Sequence, residues 1–265
     1  MSGRRAIRTI SAALQVPDLT RLQLDILAQP NDVTCGPTCL HAVYRYFGDP
    51  IDLDQVIHEV PALDHGGTLA VMLGRHALGR GYKATLFTFN IQMFDPTWFP
   101  ESDSAPVDNE RLESRLLAQA EAKGRDDRKM LVATHAYIEF LRAGGSIRMR
   151  DATSQMITGF LRKGLPVLTG LSSTYLYRAM REFGPNDDED DIRGTPSGHF
   201  VVLCGYDPAH RRVTVADPLK DNPGFSAPMY EVPLSRLVAA IMLGVLTYDA
   251  NLLVIEPDEQ RKTGR

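Results

Sequence analysis

The sequence predicts an α+β fold, helices first and an antiparallel sheet afterwards. Apolar residues recur at helical spacing in the run that opens at Cys35 and again near Ser154, while the later runs alternate and are rich in β-formers. Two of those later runs flank a tight polar turn, as an antiparallel hairpin requires.

From Cys35 to Phe47 the apolar Leu40, Val43, Tyr44 and Phe47 share one face, and Gly48-Asp49-Pro50 stops the run. A second helix is expected from Thr68 to Leu78, after the Gly66-Gly67 turn, and then a strand from Tyr82 to Phe89. Pro96, Pro100 and Pro106 mark a loop before a helix from Glu110 to Lys123, and the whole of 95–130 reads as an insertion or flap. Ser154 to Lys163 is amphipathic, and Leu165 to Leu171 reads as a short buried strand. His199 to Tyr206 and Arg212 to Ala216 pair across Asp207-Pro208-Ala209-His210, and Gly244 to Ile255 supplies a late strand. The expected organisation is a flexible arm over 1–20, one domain over 21–257 and a solvated tail over 258–265.

The chain has 265 residues, 43% of them hydrophobic, and a net charge of -4. A core alone can stabilise a chain of this size, which buries about 70–75% of its unfolded surface. The near-neutral charge lacks the dense basic face that nucleic acid demands. No apolar run reaches the roughly 18 residues of a membrane span, and the N-terminus lacks the apolar stretch of a secretory signal. Cys35, Cys39 and Cys204 are too few for a disulfide framework and suit a reducing compartment, so a cytoplasmic location is expected. The expected partner is a peptide or amide substrate, with neither nucleic acid nor membrane; nothing in the sequence indicates an oligomeric state.

The sharpest local signal is the run from Gln29 to Cys39, QPNDVTCGPTC, which puts Cys35 at the mouth of the first helix. Unpaired N–H groups and the positive end of the macrodipole favour a thiolate there. The bland alternative is a small buried hydrophobe, the usual role of a free cysteine, with Gly36 and Pro37 serving only the helix start. His199 and Asp217 bear on that choice. A hairpin about Asp207–His210 sets them across from each other, close enough for an imidazole and a carboxylate to share a hydrogen bond. Such a dyad fixes the ring tautomer and stabilises the imidazolium beside a thiolate. Singly, His199 reads as a core histidine and Asp217 as a turn former before Pro218. Gln29, on the segment entering the helix, can donate to an oxyanion together with the Cys35 backbone N–H.

QPNDVTCGPTCLHAV, GHFVVLCGYD and VTVADP together resemble the papain-like cysteine peptidases, and among them the bacteriocin-processing (double-glycine leader) peptidases in a stand-alone form. The likeness runs from about residue 25 to about residue 255 and thins over 95–150 and 172–195. It implies a papain-like fold, with the nucleophile helix packed on an antiparallel sheet. It also implies roles: Cys35 as nucleophile, His199 as general base and acid, Asp217 as orienter of the histidine, and Gln29 as oxyanion donor. The leader peptidases are usually fused to an ATP-driven transporter, of which the chain has neither the spanning helices nor the phosphate loop.

The expected activity is therefore a cysteine peptidase or amide hydrolase working through a thioester, with no cofactor or metal required. Two alternatives stand beside it: an acyltransferase or small-molecule amidase on the same triad, and a catalytically idle peptide-binding module. Cys39 and Cys204 read as packing residues. The acidic run Asn186 to Asp191 reads as a solvated loop, or more sharply as a border of the cleft that favours basic substrate groups or binds a divalent cation. His41, His58, His65, His76, His135 and His210 show no informative pairing.

Overall fold

The computed structural model describes residues 20–63, 66–102, 105–123 and 127–258. Its first half holds β1 (Thr20–Arg21), α1 (Cys35–Tyr46), α2 (Leu53–Glu59), α3 (Ala70–Gly79), β2 (Tyr82–Thr88), α4 (Asn109–Lys123), α5 (Arg128–Arg142) and β3 (Ser146–Arg148). The second half holds α6 (Ser154–Arg162), β4 (Val167–Ser172), α7 (Ser173–Tyr177), β5 (Glu182–Phe183), β6 (Asp188–Glu189), β7 (Gly198–Asp207), β8 (Arg212–Ala216), β9 (Met229–Pro233), α8 (Leu234–Leu243) and β10 (Asn251–Pro257). Apart from Thr20 and Asp258, the expected arm and tail lie outside the described residues, as does His65.

The main sheet runs β3-β2-β10-β4-β7-β8-β9, with β1 paired to β7. Only the β2–β3 pair in it is parallel. Helices cover both faces, which is why β4 and most of β7 are buried continuously rather than at alternate residues. Phe200, Val202 and Cys204 of β7 and Leu253 and Ile255 of β10 pack with α1, α3 and α5. The intervening Val201, Leu203, Leu252 and Val254 pack on the other side with α6, α7 and α8. One strand thus serves two cores through its period of two. Helix α4, inside the segment read as an insertion or flap, packs on α5 and buries Leu112 and Leu116 completely.

The α+β class, and the packing of helix α1 against a mostly antiparallel sheet, are as expected. Two local readings differ. The late strand begins at Asn251 rather than Gly244, because Gly244–Thr247 forms a 3-10 turn closed by Tyr248 at φ 69, and a strand starts only beyond that left-handed residue. The β7–β8 ladder pairs Val202 with Ala216 and Leu203 with Val215. Extended by one pair, it sets Asp217 level with Val201, so His199 is a diagonal and not a direct neighbour. Diagonal positions are about 7–8 Å apart, still within reach of an imidazole.

Candidate active site

Cys35 is the first residue of α1, and no side chain caps that helix. The hydroxyl of Thr34, the natural cap, is turned back to donate to the Asn31 carbonyl at 3.0 Å. Pro37 has no N–H, and no acidic residue occupies the first turn. The N–H groups of Cys35 and Gly36 therefore remain directed at whatever sits beyond the helix end, where partial positive charge favours an anion. Gly36 also meets a packing demand: a Cβ there would lie 2.6 Å from Thr68 Cγ2. One bond ties α1 to β7, and another ties the segment entering α1 to the residues that follow β8. Cys39 donates its thiol to the Phe200 carbonyl at 3.2 Å, and the Gln29 backbone N–H donates to the Pro218 carbonyl at 2.9 Å. The first anchor is next to His199 and the second next to Asp217, so the closure that brings the helix mouth to the histidine is built from their sequence neighbours.

His199 and Asp217 are together. The imidazole Nε2 lies 2.9 Å from Asp217 Oδ1, with the ring 7% and the carboxyl 0% exposed. A carboxylate so deeply buried needs donors, and it has five. Oδ1 also accepts from the Leu219 N–H at 2.9 Å, while Oδ2 accepts from the hydroxyls of Tyr177 at 2.8 Å and Tyr230 at 2.6 Å and from Asn222 Nδ2 at 2.9 Å. Burial pushes the Asp217 carboxyl up, but the His199 bond and charge, with those of Tyr230 and Leu219, outweigh it and hold the group below its ordinary value. For His199, burial works against the charged ring. The charge on the Cys35 sulfur, the bonds to Asp217 and Cys35, and the Asp217 charge prevail and raise the ring to about 10. With Nε2 engaged by Asp217, Nδ1 is the nitrogen left for Cys35.

The sequence reading missed the clamp on Asp217. Tyr177 carries no signal, since it comes from a short helix after β4 that reads as turn chemistry. Asn222 and Tyr230 follow Asp217 closely enough to be suspected, but only coordinates show that their donors converge on one oxygen.

A cleft of about 330 Å³ opens beside His199, lined also by Gln29, Asp32, Ser173, Thr174 and Tyr177 and by the β5–β6 hairpin through Glu182, Asn186 and Asp187. Gln29 donates Nε2 to the Asn31 carbonyl at 3.0 Å, which leaves its second N–H for a substrate oxygen. The acidic run divides. Asp187 faces the cleft, whereas Asp190 is tied to Arg193 Nε at 2.5 Å and Arg181 donates to the Asp191 carbonyl. No metal-binding group of three or more His, Cys, Asp or Glu side chains occurs among the described residues, so the divalent-cation reading of this run has no support. Cys39 and Cys204 are packed in the core, and burial raises both thiols, Cys204 to about 12. His76 bridges Tyr44 and Glu59, and His210 pairs with Asp207 at 2.7 Å, both away from the cleft. No described helix is long and apolar enough to cross a membrane.

Residues 129–231 match the model of the Peptidase_C39 like family. That stretch holds His199 and Asp217; Gln29 and Cys35 precede it. No curated protein matches the chain. Among solved structures, a putative C39-like peptidase from Bacillus anthracis is 14% identical, with 90% of this chain and 98% of that one covered and a TM-score of 0.47. A double glycine motif protease from an AMS/PCAT transporter, in complex with the leader peptide, is 13% identical, covering 90% and 95% at a TM-score of 0.42. Xylellain, a cysteine protease from Xylella fastidiosa, is 14% identical, covering 92% and 87% at a TM-score of 0.41. The family match bears out the likeness read from the sequence: over the stretch that supplies its histidine and aspartate, the chain is C39 peptidase-like, a cysteine peptidase-like hydrolase.

Proposed function

We propose that the protein cleaves a peptide-like substrate through a Cys35–His199–Asp217 triad and a thioester acyl-enzyme. The observation that carries this is the His199 ring, bonded to Asp217 on one side and drawn to the Cys35 sulfur at an uncapped helix mouth on the other. In this reading the sulfur attacks the scissile carbonyl as a thiolate. The carbonyl oxygen takes the negative charge and is met by the Cys35 N–H and the free N–H of Gln29. Imidazolium Nδ1 then gives its proton to the departing amine nitrogen as the C–N bond breaks, leaving the thioester. Water adds next, losing a proton to Nδ1, and collapse of the second tetrahedral species frees the acid and restores the thiolate–imidazolium pair. Asp217 stays ionised throughout and orients the ring.

Mass spectrometry of products from a peptide and amide library, with wild type and Cys35→Ala, tests the proposal. The expected result is hydrolysis by wild type only, with an acyl adduct on Cys35 trapped at early times. Products carrying an amine in place of water would favour acyl transfer, and turnover retained by Cys35→Ala would overturn the triad. The bound leader peptide of the structural relative agrees in kind with a peptide substrate. The three free cysteines suit a reducing, cytoplasmic setting.

The cleft also bears on selectivity. Its lining includes Asp32, Glu182 and Asp187 but no Lys or Arg, and none of these three acids is in an ion pair among the described residues. Peptides with a basic residue near the scissile bond are expected to be preferred. Glu182→Gln with Asp187→Asn should lower kcat/KM for them by about 5- to 30-fold, through about 1–2 kcal/mol of lost attraction, and leave neutral peptides unaffected. An equal loss on both substrate sets would point to a damaged cleft instead.

A further inference from the structure

Asp249 is a buried carboxyl that the triad does not use. It lies between Tyr248 and Ala250, just ahead of β10, and its side chain fills a slot left by two glycines of neighbouring strands. A Cβ on Gly170 of β4 would lie 2.8 Å from Asp249 Cβ, and one on Gly198 of β7 would lie 2.0 Å from its Oδ2. No other residue type fits Gly198 while that carboxyl is in place. Gly198 is the chain neighbour of His199, so the slot brings a second acid to the histidine's end of β7.

The hydrogen-bond arithmetic at Asp249 is unlike that at Asp217. Oδ2 meets the Thr247 hydroxyl at 2.6 Å, and the same hydroxyl lies 3.1 Å from the Gly244 carbonyl. Thr247 has one hydrogen for these two acceptors. If Asp249 is neutral, it donates to Thr247 and Thr247 donates to Gly244; if it is ionised, Thr247 must turn to it and Gly244 keeps only the Asp249 backbone N–H at 2.8 Å. Two proton arrangements therefore fit one set of atoms. The charges facing the carboxyl are Lys129 from α5 and His199 from β7, and Tyr137 of α5 and Tyr248 are the other titratable groups around it. Burial raises Asp249 to about 7, against the opposing pull of Thr247, Lys129 and His199.

We propose that Asp249 is a second positioning carboxyl of the site, its charge acting through the Gly198 slot to hold the proton on the His199 ring. The inference rests on the triad reading above. Its sign follows from charge: burial raises the Asp249 carboxyl, and whenever that group is ionised it favours the charged form of the ring. Removing that charge must make the imidazole easier to deprotonate.

NMR titration of isotope-labelled full-length protein tests this. In Asp249→Asn, which keeps the shape, the His199 ring should lose its proton about one pH unit earlier, a tenfold change in proton affinity. By linkage, His199→Gln should raise the titration midpoint of the Asp249 carboxyl by a similar factor. If Asp249→Asn does not fold, the second titration decides alone. Midpoints unmoved within about twofold overturn the proposal, since removing a charge that acts on the partner must move the partner's midpoint. Such a result with alkylation of Cys35 still dependent on His199 removes Asp249 and leaves the triad. Alkylation independent of His199 removes the triad, whatever the titrations show.

Discussion

Alanine at position 199 is expected to lower kcat/KM for a cleaved peptide by about 10³- to 10⁴-fold and to slow alkylation of Cys35 near pH 7 by about tenfold or more. The loss has two parts. The ring is the proton donor to the leaving amine and the later base for water, and its charge is what holds the sulfur anionic in the proposed ground state. The fold should survive. Asp217 would lose one of its five donors and keep Tyr177, Tyr230, Asn222 and the Leu219 N–H. A group that acts as a unit shows itself in non-additivity, so Cys35→Ala with His199→Ala should be little slower than Cys35→Ala alone. A peptide-binding module would behave differently: slow alkylation in wild type, indifferent to His199, with peptide affinity intact in both proteins.

Legibility from sequence followed the range of the forces involved. The helix that opens at Cys35 was readable because its stripe, Leu40, Val43, Tyr44 and Phe47, and its Gly48-Asp49-Pro50 stop are local. The β7–β8 hairpin was readable too, since Asp207 bonds its own turn through the N–H groups of Ala209 and His210. Convergence of His199 and Asp217 came from that hairpin, although the register was a diagonal step from the one expected; a bulge between Leu203 and Gly205 is invisible in a pattern of period two. Helix α5 escaped because its stripe begins straight after a charged loop with no apolar lead-in, and the 3-10 turn ahead of β10 because Tyr248, not glycine, takes the left-handed position. What no pattern could show were contacts between distant segments: Tyr177 on Asp217, Asp249 in the Gly198 slot, and the Cys39 thiol on the Phe200 carbonyl.

Asp217→Asn should be the most damaging isosteric change in the molecule, for fold and chemistry together. The carboxylate accepts from His199 and Leu219 on Oδ1 and from Tyr177, Tyr230 and Asn222 on Oδ2, and has no hydrogen to place. An asparagine must turn its NH₂ toward one of those two sets: toward the first it meets the fixed Leu219 N–H, and toward the second it obliges two tyrosine hydroxyls and the Asn222 amide to turn and find other acceptors in a buried site. The expected loss is about 3 kcal/mol, or about 6–12 °C in Tm for a chain of this length, with kcat/KM falling by about 10²- to 10⁴-fold as the ring loses its orientation. Asp217→Ala should lose about 3–5 kcal/mol, because it also strands the buried imidazolium. The pH dependence has a definite sign. Asp217 is held below its ordinary 3.8, so its contribution is present above that value and disappears as pH falls through the lowered one. His199 is raised from 6.5 to about 10, so its contribution is complete below 6.5 and is lost as pH rises through about 10. The stability gap between wild type and Asp217→Asn should therefore be widest between pH 4 and 6.5, narrowing in stronger acid and again toward pH 10. Denaturant midpoints measured across that range check it, and a gap that does not vary with pH would mean that the two residues do not share a charge in the folded protein.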